Sequence, residues 1–281
     1  MLRIIIKDVN IIFLYIIESL IYKENYGGLT VLEWIIFFSI LGSIGAIAAA
    51  SVFILVSERI QKFMVSILIS YATGTLLTAA LFGLIPEALE EMGNGSSLVM
   101  LVILLSIISL FFLEKLIIWR NCADEDCEVH SAGGSLVLIG DGIHNFIDGI
   151  VIASAFLTNF SVGLSASLAI LFHEIPQETG DFGILIHSGY SRKKAFIYNA
   201  LSSATTIPSA IASFFILDSI SIIVPYALSI SAASFLYIAL SDLAPELHQK
   251  WGFKQTLRQL SLIIVGVITM ILIITLLNNS H

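Results

Sequence analysis

Two short stretches set histidines among carboxylates and carboxamides at helical spacing. They are GDGIHNFIDGI (140–150) and HEIPQETGD (173–181). In the first, His144 and Asp148 are four residues apart, as are Asp141 and Asn145, so each pair shares a helix face. In the second, the same spacing relates His173 to Gln177, Glu174 to Glu178 and Gln177 to Asp181. Residues 135–188 contain these five carboxylates and no lysine or arginine. Negative groups gathered without a basic partner call for a cation. Imidazole, carboxylate and carboxamide oxygen together suit a borderline divalent ion such as Zn2+, Mn2+ or Fe2+. Carboxylates alone would suit Mg2+ or Ca2+.

The surroundings make this chemistry unusual. The 281 residues are 57% hydrophobic and 12% charged, with a mean hydropathy of +0.97. Apolar runs near the ~20 residues needed to cross hydrocarbon recur at about 31–56, 63–85, 97–119, 135–157, 162–188, 194–216, 223–244 and 258–277. The expected fold is an all-α polytopic membrane protein of eight helices in a lipid bilayer. Both acid-rich stretches then fall inside the membrane, where each ionised group costs about 2.5–3.5 kcal/mol on insertion scales. A protonated, hydrogen-bonded polar core would explain one buried histidine. It explains two His/acid turns at matching depth poorly. Pro176 removes a backbone donor beside His173, and Gly140, Gly142, Gly149 and Gly180 permit close packing. A net charge of −8 without a basic run excludes nucleic acid as the main partner. Cys122 and Cys127 are too few for a disulfide framework.

Lysine and arginine set the orientation. With the start of helix one outside, the inner connections hold Arg59, Lys62, Lys115, Arg120, Arg192, Lys193, Lys194, Lys250, Lys254 and Arg258, and the outer ones after residue 31 hold none. The pattern A-L-x-x-L-x-P-E occurs at Ala80–Glu87 and again at Ala239–Glu246, 159 residues later. The first copy closes helix two outside and the second closes helix seven inside, so the copies are inverted, as in many secondary transporters.

HNFIDG and HEIPQETGDF resemble the paired signatures of the ZIP (Zrt/Irt-like) metal transporters. GTLLTAALFGLIPEA and FLYIALSDLAPEL resemble that family's second and seventh helices. The resemblance covers about residues 31–277. It implies three-helix inverted repeats flanking helices four and five, and entry of divalent metal into the cytosol by an elevator-like motion. The metal would be chiefly zinc, with iron, manganese or cadmium as further cargo. Carried over, a first site uses His144, Asp148, His173 and Gln177, and a second uses Asn145, Asp148, Glu174 and Gln177. The chain departs from common members at Gln177, at Leu76, Ala79 and Gly83 on helix two, and at TTIPSA on helix six. These departures favour one good site and a vestigial second. The implied organisation is an N-terminal segment (1–30), a first repeat (31–119), an acidic Cys/His loop (120–134), a metal-binding core (135–188) and an inverted repeat (189–281), compatible with a homodimer.

Further polar residues fit that scheme. Asp141, Glu178, Asp181, His187, Asp242, Glu246 and His248 read as an exit route at the inner side. The loop NCADEDCEVH offers Cys122, Cys127 and His130 for weak metal capture, and a plain solvated acidic loop fits equally. Glu87, Glu90 and Glu91 read as an outer cation funnel or an ordinary helix end. Residues 1–22 read as a ninth span or an interfacial helix. Two rival functions remain. H-E-x-x-Q is one residue from the H-E-x-x-H of metalloproteases, although glutamine is a poor zinc ligand. A proton- or sodium-coupled antiporter would use the same acids. Apart from the protease rival, the chain reads as no enzyme.

Overall fold

The structure is a computed structural model that describes residues 28–54, 57–93, 96–121, 133–249 and 252–278. The segment 1–27 and the loop residues Cys122, Cys127 and His130 lie outside the described residues. Among the described residues every regular element is a helix, and these join into eight rods.

Helix α1 runs Gly28–Ile40, through a π-helical segment Leu41–Gly45, to Ala46–Ile54. Helix α2 runs Glu58–Thr78, π-helical Ala79–Leu84 and Ile85–Met92. Helices α3 (Ser96–Asn121), α4 (Gly133–Thr158) and α5 (Phe160–His187) are unbroken. Helix α6 comprises Arg192–Ser203 and Thr206–Ser219. Helix α7 runs Val224–Tyr237, π-helical Ile238–Leu243 and Ala244–His248, and α8 is Phe253–Asn278. Seven of the rods are long and apolar enough to cross a membrane. The remaining one, α5, has 28 residues, but Glu174, Glu178 and Asp181 interrupt its apolar run. The protein is an integral, multi-pass membrane protein.

The repeat is visible in the backbone. The π segments of α2 and α7 are related by the same 159-residue offset, and each is followed by a proline, Pro86 or Pro245. Proline offers no N–H to the preceding turn, so the carbonyls before it must find other donors, and a local π register is one solution. The π segment of α1, shifted by the same offset, falls where α6 breaks after Ser203. Packing obeys the same symmetry: α2 lies on α8 as α7 lies on α3, and α1 lies on α5 as α6 lies on α4.

Cross-helix hydrogen bonds fix which helix ends lie together. Arg258 Nη2 donates to Ser66 Oγ at 3.4 Å, Gln259 Nε2 to Leu247 O at 3.1 Å and Asn199 Nδ2 to Glu178 O at 3.1 Å. The starts of α2, α6 and α8 and the ends of α5 and α7 therefore share one end of the bundle, where Lys193, Lys194, Lys254 and Arg258 also lie. On the flanks, α3 and α8 present Leu104, Ile108, Phe112, Leu260, Ile264 and Ile268 outward, an apolar surface suited to lipid.

Candidate metal centre

Helices α4 and α5 meet through a single residue. Asn159 leaves helical geometry (φ −157, ψ 138), and its Oδ1 accepts from the Ser161 N–H at 2.7 Å, capping α5. A Cβ on Gly163 would lie 2.4 Å from the Phe156 ring, so glycine lets this hairpin close. His144 stands fifteen residues before Asn159 and His173 fourteen after it. At about 1.5 Å per residue, both sit roughly 21–23 Å from the turn. The one-residue connection thus sets the two imidazoles at one depth.

They meet there. His144 Nε2 and His173 Nε2 are 3.0 Å apart. Glu174 Oε1 lies 3.4 Å from the first and 3.3 Å from the second. Asp148 Oδ2 lies 3.8 Å and 3.4 Å from the same nitrogens. All four ligating atoms fall within 4.8 Å of one another. His173 Nδ1 is 3.0 Å from the Ala169 carbonyl, so the Nδ1–H donates there and Nε2 presents its lone pair to the centre. Asp148, Glu174 and His173 are buried, and the oxygens of both carboxylates lack hydrogen-bond partners. Two imidazole nitrogens and two carboxylates around one point form a donor set for a borderline divalent cation.

The other candidate residues take different positions. The Asn145 amide turns toward Asp141, donating to its Oδ1 at 2.9 Å, while Asn145 Oδ1 accepts from Thr206 Oγ1 at 2.9 Å and Ser203 Oγ at 3.5 Å. Gln177 Nε2 donates to Asp141 Oδ1 at 3.2 Å. Glu174, carried over above to the second site, lies with both histidines and Asp148. Asp141 and Glu178 come together with Glu174, their carboxylate oxygens within 4.8 Å of one another. Asp181, Asp242 and Glu246 line a cavity of about 460 Å3 that reaches His144 and Gln177 and runs toward the Lys/Arg-bearing end. On the other flank Ala169, Ile170 and Phe235 are buried, the Phe235 ring centroid 6.5 Å from that of His173. His187 ends α5, and its side chain lies outside the described residues. His248 ends α7 on the surface, and Glu87, Glu90 and Glu91 fall on the last turns of α2.

Helix α6 supplies groups that the motifs do not reveal. Thr205 Oγ1 donates to Gly142 O at 2.8 Å and Ser209 Oγ to Phe146 O at 2.5 Å. With Thr206 and Asn199 they form a small polar face along α6, at the three- and four-residue spacing of one helix side. That periodicity is readable in the sequence, but small hydroxyl residues are common wherever membrane helices pack closely.

Comparison with known proteins agrees with this geometry. Residues 119–274, more than half of the chain, match the family described as ZIP Zinc transporter. "Zinc transporter zipt-7.2" of Caenorhabditis elegans is 35% identical over 142 residues, 49% of this chain and 31% of that protein. "Zinc transporter ZIP6" of Homo sapiens is 38% identical over 127 residues, 42% and 17% of the two chains. "Zinc transporter foi" of Drosophila melanogaster is 39% identical over 149 residues, 52% and 21%. The chain spans less than a third of the length of these relatives. With two His/acid turns converging on one buried point inside a family match of that extent, the chain belongs to the ZIP zinc transporter family.

Proposed function

We propose that the protein carries divalent metal, zinc first and Fe2+, Mn2+ or Cd2+ as further cargo, across the cell membrane into the cytoplasm. The observation that carries this reading is the convergence of His144, Asp148, His173 and Glu174 with unsatisfied carboxylates in the interior of a membrane-spanning bundle. Asn145 and Gln177 position the neighbouring Asp141. Asp181, Asp242 and Glu246 give the metal an acidic path along the cavity wall. The cavity on one side of the centre and packed side chains on the other are what an alternating-access carrier presents when it faces inward. The positive-inside bias of the lysines and arginines supports placing the cavity on the cytosolic side. A peptidase reading fits less well, because Gln177, whose amide donates to Asp141, stands where that motif needs a second histidine one turn from His173.

An elevator-like motion draws support from how the helices are tied. Hydrogen bonds link α4 to α5 and α6, and others link α3 to α7, α7 to α8 and α8 to α2, as if two bodies could shift against each other. The test is uptake by proteoliposomes across a panel of divalent ions, with bound metal counted per chain. His144→Ala and Asp148→Asn are expected to abolish most uptake at near-normal expression, and full activity of the double variant would end the metal-centre reading. Cys122 and Cys127 are expected to resist an impermeant thiol reagent in intact cells. Labelling from outside would reverse the direction.

A further inference from the structure

The cavity beside the metal centre is larger and more apolar than a metal path requires. Its volume is about 460 Å3. A divalent ion with six waters, at about 30 Å3 per water, would fill less than half of it. Helices α3 and α4 line it with Leu110, Leu113, Val137, Ile143 and Ile147. A hydrated ion gains nothing from such a wall. Helix α3 packs chiefly on α7, and its outward face carries Leu104, Ile108 and Phe112 toward lipid. Hydrocarbon therefore lies directly behind the apolar wall.

The rest of the lining is anionic. Helices α5 and α7 contribute Asp181, Asp242 and Glu246, and Asp141 and Glu114 extend the charge onto α4 and α3. Among the described residues that line the cavity none is lysine or arginine. Asp141 is only 4% exposed, and the amides of Asn145 and Gln177 hold its Oδ1 while its Oδ2 has no partner. A buried anionic oxygen left bare is costly, so the site calls for positive charge. Tyr237 is the aromatic residue of the lining, and its hydroxyl donates to Glu114. Aromatic rings attract ammonium groups, quaternary ones included. Gly140 and Gly180 also line the cavity, and a Cβ on either would meet nothing within 4 Å, so the space beside both is open. The volume falls in the range of about 300–1,000 Å3 found for drug-sized ligands, which often bind between the helices of bundles.

We propose that this cavity is a binding site for amphiphilic organic cations, molecules that join an ammonium head to an apolar body. The head lies among Asp141, Asp181 and Asp242, and the body lies against Leu110, Leu113, Val137 and Ile143. Size, charge and apolar area together select the class. A neutral lipophile leaves the acids unpaired, a small cation leaves the apolar wall bare, and an anion is repelled. Binding stands on the cavity alone, whereas its consequence, block of the metal path, rests on the metal-transport reading above.

The experiment uses the full chain, stripped of metal, in phosphatidylcholine nanodiscs, with radiolabelled (4-phenylbutyl)trimethylammonium as the probe. Saturable binding of one probe per chain is expected, and none to empty nanodiscs. The neutral isostere with a tert-butyl head, and tetramethylammonium, which has no body to bury, should each compete about 100-fold more weakly. Gly140→Phe fills the cavity without removing a charge, and should abolish probe binding while zinc binding, which reports the fold, is kept. Asp181→Asn with Asp242→Asn should weaken the probe about tenfold or more. Absence of saturable binding to the unaltered chain, equal competition by the neutral isostere or by tetramethylammonium, or full probe binding in a folded Gly140→Phe protein would overturn the proposal. The three-probe comparison on the unaltered chain decides even where a variant fails to fold. In proteoliposomes with probe on both sides, binding that leaves zinc uptake undiminished would uphold the site and count against the metal path. Zinc uptake by a chain that binds no probe would count against this proposal alone.

Discussion

Helices α4, α5 and α6 are joined largely by polar side chains, whereas α2 and α8, apart from the Arg258–Ser66 hydrogen bond, pack backbone against backbone. In the first set Thr205, Thr206, Ser209, Asn199 and Gln177 reach across to carbonyls, carboxylates and an amide. In the second, a Cβ on Gly74 would lie 2.2 Å from the Ile263 carbonyl oxygen, and one on Gly266 would lie 2.5 Å from that of Tyr71. Small residues that let backbones touch are the usual route to helix association in lipid, where no hydrophobic force acts between helices. The polar route is densest on the helices that carry the buried acids and imidazoles. A network of fixed partners there keeps buried acids oriented without satisfying all of their oxygens. Between the first set and α7, which is tied to α8, Ser154 Oγ and Ser231 Oγ approach to 3.4 Å, and between the first set and α2 a Cβ on Gly83 would meet Val162 and Ser165 at an ordinary 3.7 Å. Contacts of this kind permit sliding better than interlocking does.

The largest expected effect comes from joining the two sets. Ser154→Cys with Ser231→Cys, in a background of Cys122→Ser and Cys127→Ser, places thiols within disulfide reach across the boundary. Oxidation is expected to stop metal uptake nearly completely, and reductant to restore it. Uptake that persists in the cross-linked protein would mean that the sets do not move relative to each other.

Glycine substitutions should break each set by its own mechanism. A Cβ on Gly149 would lie 2.0 Å from Ser209 Oγ and 2.4 Å from the Thr206 carbonyl oxygen. Gly149→Ala and Gly266→Ala are each expected to lower stability by about 1–3 kcal/mol, read as a fall in melting temperature in detergent. Gly149→Ala should also reduce zinc binding, since it displaces the helix carrying His144 and Asp148. Gly140→Ala, with nothing within 4 Å of the new methyl, should change neither.

Smaller effects refine the picture of the polar set. Thr206→Val removes one donor to Asn145 Oδ1 and should cost about 0.5–1 kcal/mol of stability, a typical cross-helix hydrogen bond in lipid. Gln177→His should change zinc affinity at the imidazole-bearing group by less than about threefold, or ~0.6 kcal/mol, because the side chain at 177 faces Asp141. A tenfold or larger gain by titration calorimetry would show that residue 177 reaches the first group.

Much of the architecture was legible in the residues. Apolar runs of membrane length gave the eight helices, and the two Pro-Glu motifs gave an offset that the π segments of α2 and α7 obey to the residue. The sequence also put His144 and His173 at one depth, because the chain between them is two helical arms of nearly equal length. It did not show which neighbour of His173 would turn inward. Glu174 and Gln177 are three residues apart, near enough in angle for helical spacing to admit either. Packing sent Glu174 to both histidines and Gln177 to Asp141. Nor did it mark Asn199, which lies in an ordinary polar turn after a basic cluster and acquires its role only where α6 crosses the end of α5.

The sequence by itself determined that this chain lives in a membrane, that it is built of helices, and that α4 and α5 hold acids and imidazoles with no basic partner. Those properties follow from local composition and periodicity, which lipid reads one helix at a time. Only the tertiary structure decided how six candidate ligands divide into an imidazole-bearing group and an all-carboxylate group with Glu174 common to both. That division depends on helix rotation and on amides donated from helices distant in sequence. Neither is encoded in the spacing of residues along any single helix.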